Sequence, residues 1–330
     1  MSKNKDVSPM NLTEGIQALK RELQKERLIV FVGSGMSIPE PSNLPDWDSF
    51  IKSFINHCRR IFELLPISAK EQYTDLLKDA ELRSSDHPIQ VASVLNDTLR
   101  ELDKNKTLNI NIEDSYKRWF IETFAGSKCN NNHTLITHIN FPYILTSNYD
   151  MLLEKALENS PQFVSLSLKS YTFSEAEKIA AQLFTKEFAI IHMHGKYLDI
   201  SLDKIVFTTE DYSKMLRRSF PGFTMSVMNL FSNYSTLFIG YGGSDPHLED
   251  VLEEQAFNLH YENNSGLPQN YMIALKSKVG EIYSKHKHKR RTKIITIDSY
   301  DDYEILLKSL KNDFPRKLQL INTENENFLS

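Results

Sequence analysis

The stretch LIVFVGSGMS, residues 28–37, decides the fold that we expect for this chain. Its first half is an unbroken apolar, β-favouring run, and its second half is a turn that contains two glycines. An unbroken apolar run is typical of a strand buried on both faces, because helices cover both sides of a parallel sheet. The stretch therefore predicts a buried parallel strand that ends in a glycine-rich turn.

Strand-like runs recur along the chain, and helical patterns separate most of them. The later runs are YILTSN (143–148), EFAIIHMHG (187–195), KIVF (204–207), STLFIGYGG (235–243), YMIAL (271–275) and KIITI (293–297). The helical patterns cover 149–158, 209–233, 246–260 and 300–313. Strands that alternate with helices predict an α/β fold with a doubly wound, mainly parallel sheet.

The order of these patterns predicts one large domain with two terminal appendages. Residues 1–27 are expected to form an N-terminal helical arm, and residues 28–320 the α/β domain. Within that domain, residues 51–140 are charged and mostly helical in pattern, which predicts a helical insertion packed over an edge of the sheet. Residues 321–330 are expected to be a frayed tail.

Composition is that of an ordinary globular protein. The 330 residues are 40% hydrophobic and 25% charged, and the formal net charge is -4. This charge gives no overall attraction to nucleic acid or to anionic membranes. The N-terminus lacks the apolar core of a signal peptide, and no apolar run approaches the roughly 18 residues of a membrane helix. We therefore expect a cytoplasmic protein without a membrane segment.

One dense basic run, Lys285 to Arg291, leaves contact with nucleic acid open as an alternative. Such a run is more often a solvated loop, here in front of the strand-like KIITI. We favour the solvated loop.

Polar and glycine residues are concentrated directly after the predicted strands. In an open α/β sheet, ligands bind beyond the carboxyl ends of the strands, where the connections diverge. Four such strand ends would build one crevice. They carry Gly33-Ser34-Gly35-Met36-Ser37, Thr146-Ser147-Asn148-Tyr149-Asp150, His194-Gly195 and Gly240-Tyr241-Gly242-Gly243-Ser244-Asp245.

The first of these turns suits a phosphate. Gly33 and Gly35 lack Cβ atoms, so the backbone can approach a pyrophosphate and offer N–H groups to it, and Ser37 can add a hydroxyl. A tight strand–helix turn without a ligand is the alternative. The turn matches neither GxGxxG nor GxxxxGK[ST], which disfavours a hydride-transferring Rossmann enzyme and a P-loop ATPase.

GSGMS, TSNYD, HG and GYGGSDP, in this order, resemble the motifs of the sirtuin family. The closer resemblance is to its zinc-free, NAD-consuming branch in bacterial antiviral defence. The family pattern reads GAGxS, TQNxD, HG and then a glycine-serine turn, and the resemblance spans residues 28 to about 298. Two positions depart, because Ser34 replaces an alanine and Ser147 replaces a glutamine. The second departure argues against transfer to an acyl-lysine.

The resemblance implies a Rossmann-like sirtuin core with NAD as its substrate. Asn148 and His194 are then the catalytic pair, with Asn148 holding water or a ribose hydroxyl and His194 accepting a proton. Asp150 is expected to bind the nicotinamide carboxamide, although it would also suit the N-terminus of helix 151–158. The NAD-binding residues expected on this basis are Gly33, Ser34, Gly35, Ser37, Asp150, Gly240, Gly242, Ser244 and Asp245.

Metal ligands are sparse. The two cysteines, Cys58 and Cys129, cannot supply the four thiolates that a deacylating sirtuin uses for zinc. His192 and His194 share a strand face but lack a third ligand, so a metal at this pair is disfavoured. We therefore expect no zinc and no other metal.

The resemblance implies an NAD glycohydrolase that releases nicotinamide and ADP-ribose, as an NAD-depleting effector in bacterial anti-phage defence. Such an enzyme needs restraint, which implies a homo-oligomer or a regulatory protein partner such as a defence-system ATPase. NAD-dependent protein deacylation or ADP-ribosyl transfer is the enzymatic alternative. A non-catalytic module that senses NAD or ADP-ribose is the other alternative, which the presence of both Asn148 and His194 disfavours.

Overall fold

A computed structural model describes most of the chain. The described residues are 9–104, 111–160, 168–198, 204–217, 219–243, 245–258, 267–280 and 292–316. The expectations for the basic run at 285–291, for Ser244 and for the tail at 321–330 fall outside these residues.

Seven strands form one sheet in the described residues, and every neighbouring pair is parallel. The order across the sheet is β3-β4-β2-β1-β5-β6-β7. The predicted doubly wound, parallel α/β fold is therefore confirmed. The strands are β1 (Leu28–Val32), β2 (Tyr143–Thr146), β3 (Ser170–Thr172), β4 (Ala189–His192), β5 (Ser235–Ile239), β6 (Asn270–Leu275) and β7 (Thr292–Ile297).

Helices connect the strands and cover the sheet. None of them, within the described residues, is long and apolar enough to cross a membrane. Their bounds are α1 (Leu12–Gln24), α2 (Trp47–Phe62), α3 (Ile67–Arg83), α4 (Pro88–Lys104), α5 (Ile112–Phe124), α6 (Asn131–His138), α7 (Leu152–Glu158), α8 (Ala176–Thr185), α9 (Thr209–Leu216), α10 (Pro221–Asn233), α11 (Pro246–Asn258) and α12 (Asp302–Asp313).

Strand β1 is buried on both faces, as its unbroken apolar sequence predicts. Leu28, Val30 and Val32 point into a core shared with α1, α6, α7 and α12. Ile29 and Phe31 point into a second core, which α8, α10 and α11 cover from the opposite face. All five side chains are inaccessible to solvent. Alternation along the strand thus divides one apolar run between two helical layers.

The helices α2 to α5 build a third core rich in aromatic rings. Phe50, Phe54 and Trp119 lie at its centre, and Tyr149 and Phe207 join it from the loops that follow β2 and β4. These helices therefore cover the carboxyl ends of the strands. Helix α6, which falls inside the segment expected as an insertion, packs instead against α7 and α12 beside the sheet. The division of the chain into arm, domain and tail stays a prediction.

Two local predictions about strands were wrong. The KIVF segment forms no strand, because residues 205–207 are a buried loop in which the Val206 N–H donates to the carbonyl of His194 at 3.0 Å. Its apolar side chains pack against the neighbouring strand end rather than within the sheet. The edge strand β3 was missed, because Ser170 to Thr172 is short and polar. The helical pattern at 209–233 is divided into α9 and α10, with Pro221 at the start of α10.

Candidate active site

A cavity of about 380 Å³ lies where β1, β2, β4 and β5 end. It lies at the switch point between the neighbouring strands β1 and β5, from which the chain continues to opposite halves of the sheet. The sequence predicts a ligand at this position. Of the predicted site residues, Gly35 does not line it, and Ser244 is not described. Those that line it are Gly33, Ser34, Ser37, Asn148, Asp150, His194, Gly240, Gly242 and Asp245.

The turn after β1 is locked to the turn after β5. The N–H groups of Gly33 and Gly35 donate to the carbonyls of Ile239 and Gly240, each at 2.9 Å. A Cβ atom on Gly33 would lie 2.4 Å from the carbonyl oxygen of Gly240, and one on Gly35 would lie 2.9 Å from it. Both glycines are thus required for backbone contact between the turns, and their N–H groups are engaged within the protein.

Ser34 supplies the open N–H of this turn. The N–H groups of Met36 and Ser37 close the short 3₁₀ helix onto Gly33 and Ser34, at 3.1 and 2.9 Å. Within the described part of the chain, the N–H of Ser34 makes no backbone hydrogen bond, and Ser34 is exposed at the cavity. Of the backbone N–H groups in this turn, that of Ser34 is therefore the one available to donate to a phosphate.

The hydroxyl of Ser37 links the side chains at the base of the cavity. It donates to Oδ2 of Asp150 at 2.9 Å and accepts from Nδ2 of Asn148 at 3.4 Å. Nε2 of His133 lies 3.2 Å from the same oxygen. One serine thus orders Asn148 and Asp150, which were predicted from the sequence, and His133, which was not.

The tautomer of His133 follows from its other neighbour. Nδ1 accepts from the backbone N–H of Asn130 at 3.3 Å, so Nε2 carries the proton and donates to Ser37. Burial lowers the pKa of His133, although the charge of Asp150 acts in the opposite direction. The imidazole is therefore neutral. No local motif marks His133, because it contacts Ser37 only through the fold.

Asn148 is held through three of its groups. Its backbone N–H donates to Oγ1 of Thr146 at 3.0 Å, and its side-chain Nδ2 donates to Ser37. Its backbone carbonyl accepts from Nδ1 of His192 at 3.0 Å. Its side-chain Oδ1 is buried and has no hydrogen-bond partner within the described residues. A buried oxygen without a partner is costly, which makes Oδ1 the natural acceptor for a substrate hydroxyl or water.

Asp150 fits both interpretations offered for it. Its Oδ1 accepts from the N–H of Leu152 at 3.0 Å and so supports the start of α7. Its Oδ2 accepts from Ser37, and the side chain borders the cavity. A structural contact and a position at the site are therefore compatible.

His194 and Asp245 form a buried pair at the cavity wall. Nε2 of His194 lies 3.1 Å from Oδ2 of Asp245, at an angle outside hydrogen-bond geometry, so their attraction is that of an ion pair when His194 is protonated. Burial raises the pKa of Asp245, but the charges of His194 and His247 and the N–H of Leu248 outweigh it and bring the value to about 2. Asp245, which was expected to bind NAD, lines the cavity and faces His194 through its Oδ2.

Aromatic side chains form a large part of the cavity wall. The ring of Tyr212 meets that of His194 edge to face, with centroids 5.4 Å apart. None of these rings was among the expected catalytic or NAD-binding residues, although Tyr149 and Tyr241 lie within the strand-end segments quoted above. The rings that line the cavity are Trp47, Phe50, Phe124, Tyr149, Tyr212 and Tyr241.

His192 lies outside the cavity lining, with its Nε2 2.7 Å from Oε1 of Glu154. No group of three histidine, cysteine, aspartate or glutamate side chains in the described residues is arranged to hold a metal ion. Cys58 and Cys129 are both free thiols.

Comparison with known proteins agrees with the sequence motifs at the strand ends. Residues 142–297 match the family described as SIR2-like domain. A protein named NAD(+) hydrolase ThsA from Acinetobacter baumannii (strain 532279) is 22% identical over 314 residues, which cover 91% of this chain and 56% of that protein. Its namesake from Enterococcus faecium is 24% identical over 58% of this chain and 42% of that protein. The one from Cytobacillus dafuensis is 24% identical over 72% and 40%.

These alignments cover about half the length of the relatives or less. The residues that match the family include the strand ends with Asn148, Asp150, His194, Gly240 and Asp245. Residues 142–297 are therefore similar to SIR2-like domains, and the resemblance to the sirtuin family inferred from the motifs is confirmed.

Proposed function

We propose that the protein hydrolyses NAD at the bond between nicotinamide and ribose, releasing nicotinamide and ADP-ribose. One observation carries this proposal: Asn148, whose buried Oδ1 has no hydrogen-bond partner within the described residues, lines the same cavity as the His194–Asp245 pair. A hydrogen-bond acceptor and a carboxylate-backed imidazole are the groups needed to orient a water or ribose hydroxyl and to remove its proton.

The reaction places positive charge on the ribose ring. The C1′–N bond breaks with its electron pair leaving on nicotinamide, and the water oxygen bonds to C1′. His194 accepts the proton that the water loses, and the carboxylate of Asp245 stabilises the resulting imidazolium. Asp150 and Asp245 add negative charge beside a transition state of oxocarbenium character.

The remaining lining suits the other parts of NAD. The open N–H of Ser34 can donate to a pyrophosphate oxygen. The aromatic side chains of the lining offer flat apolar surface on which the rings of NAD can pack. The names of the relatives, NAD(+) hydrolase, support the same substrate.

The resemblance to antiviral NAD-consuming domains supports a role as an NAD-depleting effector in the bacterial cytoplasm. On the same basis we propose that the protein acts as a homo-oligomer or under the control of a protein partner such as an ATPase.

The test is incubation of the purified protein with NAD and chromatographic separation of the products. We expect equal amounts of nicotinamide and ADP-ribose, with no need for an acetylated peptide and with less than stoichiometric zinc by elemental analysis. Strict dependence on the peptide, with acetyl-ADP-ribose as product, would establish the deacylase instead. Tight binding of NAD without turnover, under all conditions including added cell extract, would establish the sensing module.

A further inference from the structure

Glu154 and His192 form a buried pair that the proposed reaction does not use. Oε1 of Glu154, on α7, lies 2.7 Å from Nε2 of His192, at the end of β4. Their side chains are 1% and 0% exposed, and neither lines the cavity. Burying an acid beside a base is costly unless both are well bonded, so the contacts of the pair indicate its purpose.

The second nitrogen of His192 connects the pair to the site. Nδ1 lies 3.0 Å from the backbone carbonyl of Asn148, and a carbonyl only accepts, so Nδ1 carries a proton and donates. Burial raises the pKa of Glu154, but the charge and hydrogen bond of His192 and the hydroxyl of Ser170 outweigh it, so the pKa lies below its usual value. The ionised Glu154 is thus the hydrogen-bond partner of Nε2 of His192.

A further layer supports the carboxylate. Ser170, on the edge strand β3, donates its hydroxyl to Oε1 of Glu154. The ammonium of Lys196 lies 3.2 Å from the carbonyl of Ser170. The imidazole that bonds Asn148 is thus supported by Glu154, and Glu154 in turn by Ser170.

We propose that Glu154 and His192 are positioning residues, which hold the Asn148 carbonyl so that its side-chain oxygen faces the substrate. This inference rests on the proposed function. Because the backbone N–H of Asn148 is held by Thr146 and its Nδ2 by Ser37, the carbonyl bond from His192 completes the fixation of the residue. Loss of the hydrogen bond from His192 would allow the peptide group of Asn148 to rotate, and its side-chain Oδ1 would move with it.

Two matched double variants isolate this bond. The amide nitrogen of asparagine reproduces the position of Nδ1 in histidine, whereas that of glutamine reproduces Nε2. His192→Asn with Glu154→Gln therefore keeps a donor for the Asn148 carbonyl, and His192→Gln with Glu154→Gln removes it. Both double variants are neutral at the pair, and they differ by one methylene group.

We expect the His192→Gln double variant to lose kcat by roughly 10²-fold, the scale of a catalytic group displaced by about 1 Å, with little change in KM. The His192→Asn double variant should retain most of the wild-type kcat. In an Asn148→Ala background the two double variants should cleave NAD equally slowly, because there is then no side-chain oxygen to position. Equal kcat values in the presence of Asn148, or a difference that persists without it, would overturn the inference.

Nuclear magnetic resonance of the folded protein tests the geometry apart from turnover. In the wild type, Nδ1 of His192 should be protonated. The side-chain amide signals of Asn148 should shift in the His192→Gln double variant but not in the His192→Asn double variant. An unprotonated Nδ1, or equal shifts in both, would contradict the inference. A wild type that cleaves no NAD under any condition, including added cell extract, would refute the proposed function alone, since these signals do not depend on activity.

Discussion

Nε2 of His194 lies 3.1 Å from Oδ2 of Asp245, and both side chains are buried where β4 and β5 end. The other carboxylate oxygen of Asp245 accepts the N–H groups of His247 and Leu248, each at 3.0 Å, at the start of α11. One residue therefore fixes a helix and faces the imidazole proposed as the base. This dual contact allows the charge of Asp245 to be removed while its helix contact is kept.

Asp245→Asn should lower kcat by on the order of 10²-fold or more, because the imidazolium formed on His194 loses its counter-charge. Asparagine retains an oxygen for the N–H groups of α11, so the thermal unfolding transition should stay near that of the wild type. Steady-state kinetics of nicotinamide release, together with calorimetry, test both parts. Unchanged kcat in the folded variant would remove Asp245 from the mechanism.

Ser37→Ala should weaken both stability and activity. It leaves the Oδ2 of Asp150 and the Nδ2 of Asn148 without a buried partner, which costs about 1–3 kcal/mol of unfolding free energy. Ser42→Ala is the matched control, because the hydroxyl of Ser42 is also buried but has no hydrogen-bond partner in the described residues. Urea denaturation should show a clear loss for Ser37→Ala and almost none for Ser42→Ala. Equal losses would argue against the role of Ser37.

Ser34→Pro tests the open N–H of the β1 turn. Ser34 is the first residue of the 3₁₀ helix, a position at which proline is tolerated. Gly33 before it is extended, with φ -99 and ψ 174, which is the conformation that a following proline requires. The substitution removes the N–H, and the loss of a hydrogen bond to a charged phosphate should raise the Kd for NAD by roughly 10-fold or more. Ser34→Ala removes only the hydroxyl and should change the Kd far less. Calorimetric titration that gives equal values for the two variants would exclude this contact.

The pH dependence of stability should contain a contribution from His247. Burial lowers its pKa to about 4, a trend that Asp245 opposes and His194 reinforces, and neither ring nitrogen has a partner in the described residues. The unfolded chain takes up this proton near pH 6.5, so the unfolding free energy falls as the pH drops from about 6.5 to about 4. His57, whose pKa burial and Arg60 also lower to about 4, acts in the same direction.

His247→Leu should remove one share of that loss, about 2–3 kcal/mol between roughly pH 7.5 and pH 4.5. Denaturation curves at the two pH values measure it. His87→Gln, at an exposed histidine, serves as the matched control variant. A His247→Leu protein that loses as much stability as the wild type would show that His247 is protonated in the folded state.

The sequence predicts those features that local patterns determine. The apolar run at 28–32 defines a strand buried on both faces, and parallel strands bring their carboxyl-end residues to one edge. This is why Asn148, Asp150 and His194 were expected at one site, which their positions in the cavity agree with. KIVF was mistaken for a strand because a buried loop and a short strand have the same apolar composition.

Contacts between residues that are distant in the sequence could not be predicted from it. His133 reaches Ser37 from α6, and Glu154 reaches His192 from α7, and neither spacing forms a motif. The availability of backbone N–H groups was also hidden, because the β5 turn occupies those of Gly33 and Gly35. Such partners depend on how elements are packed, which composition and periodicity do not specify.

The most direct test of the central claim is the rate of nicotinamide release from NAD by the wild type, by His194→Ala and by Asn148→Ala. The account predicts cleavage by the wild type without any acceptor peptide, and a loss of roughly 10²–10⁴-fold in His194→Ala, the usual range for a general base. Asn148→Ala should be similarly impaired, and both variants should keep the thermal transition of the wild type. Near-normal nicotinamide release by the folded His194→Ala protein would contradict the account.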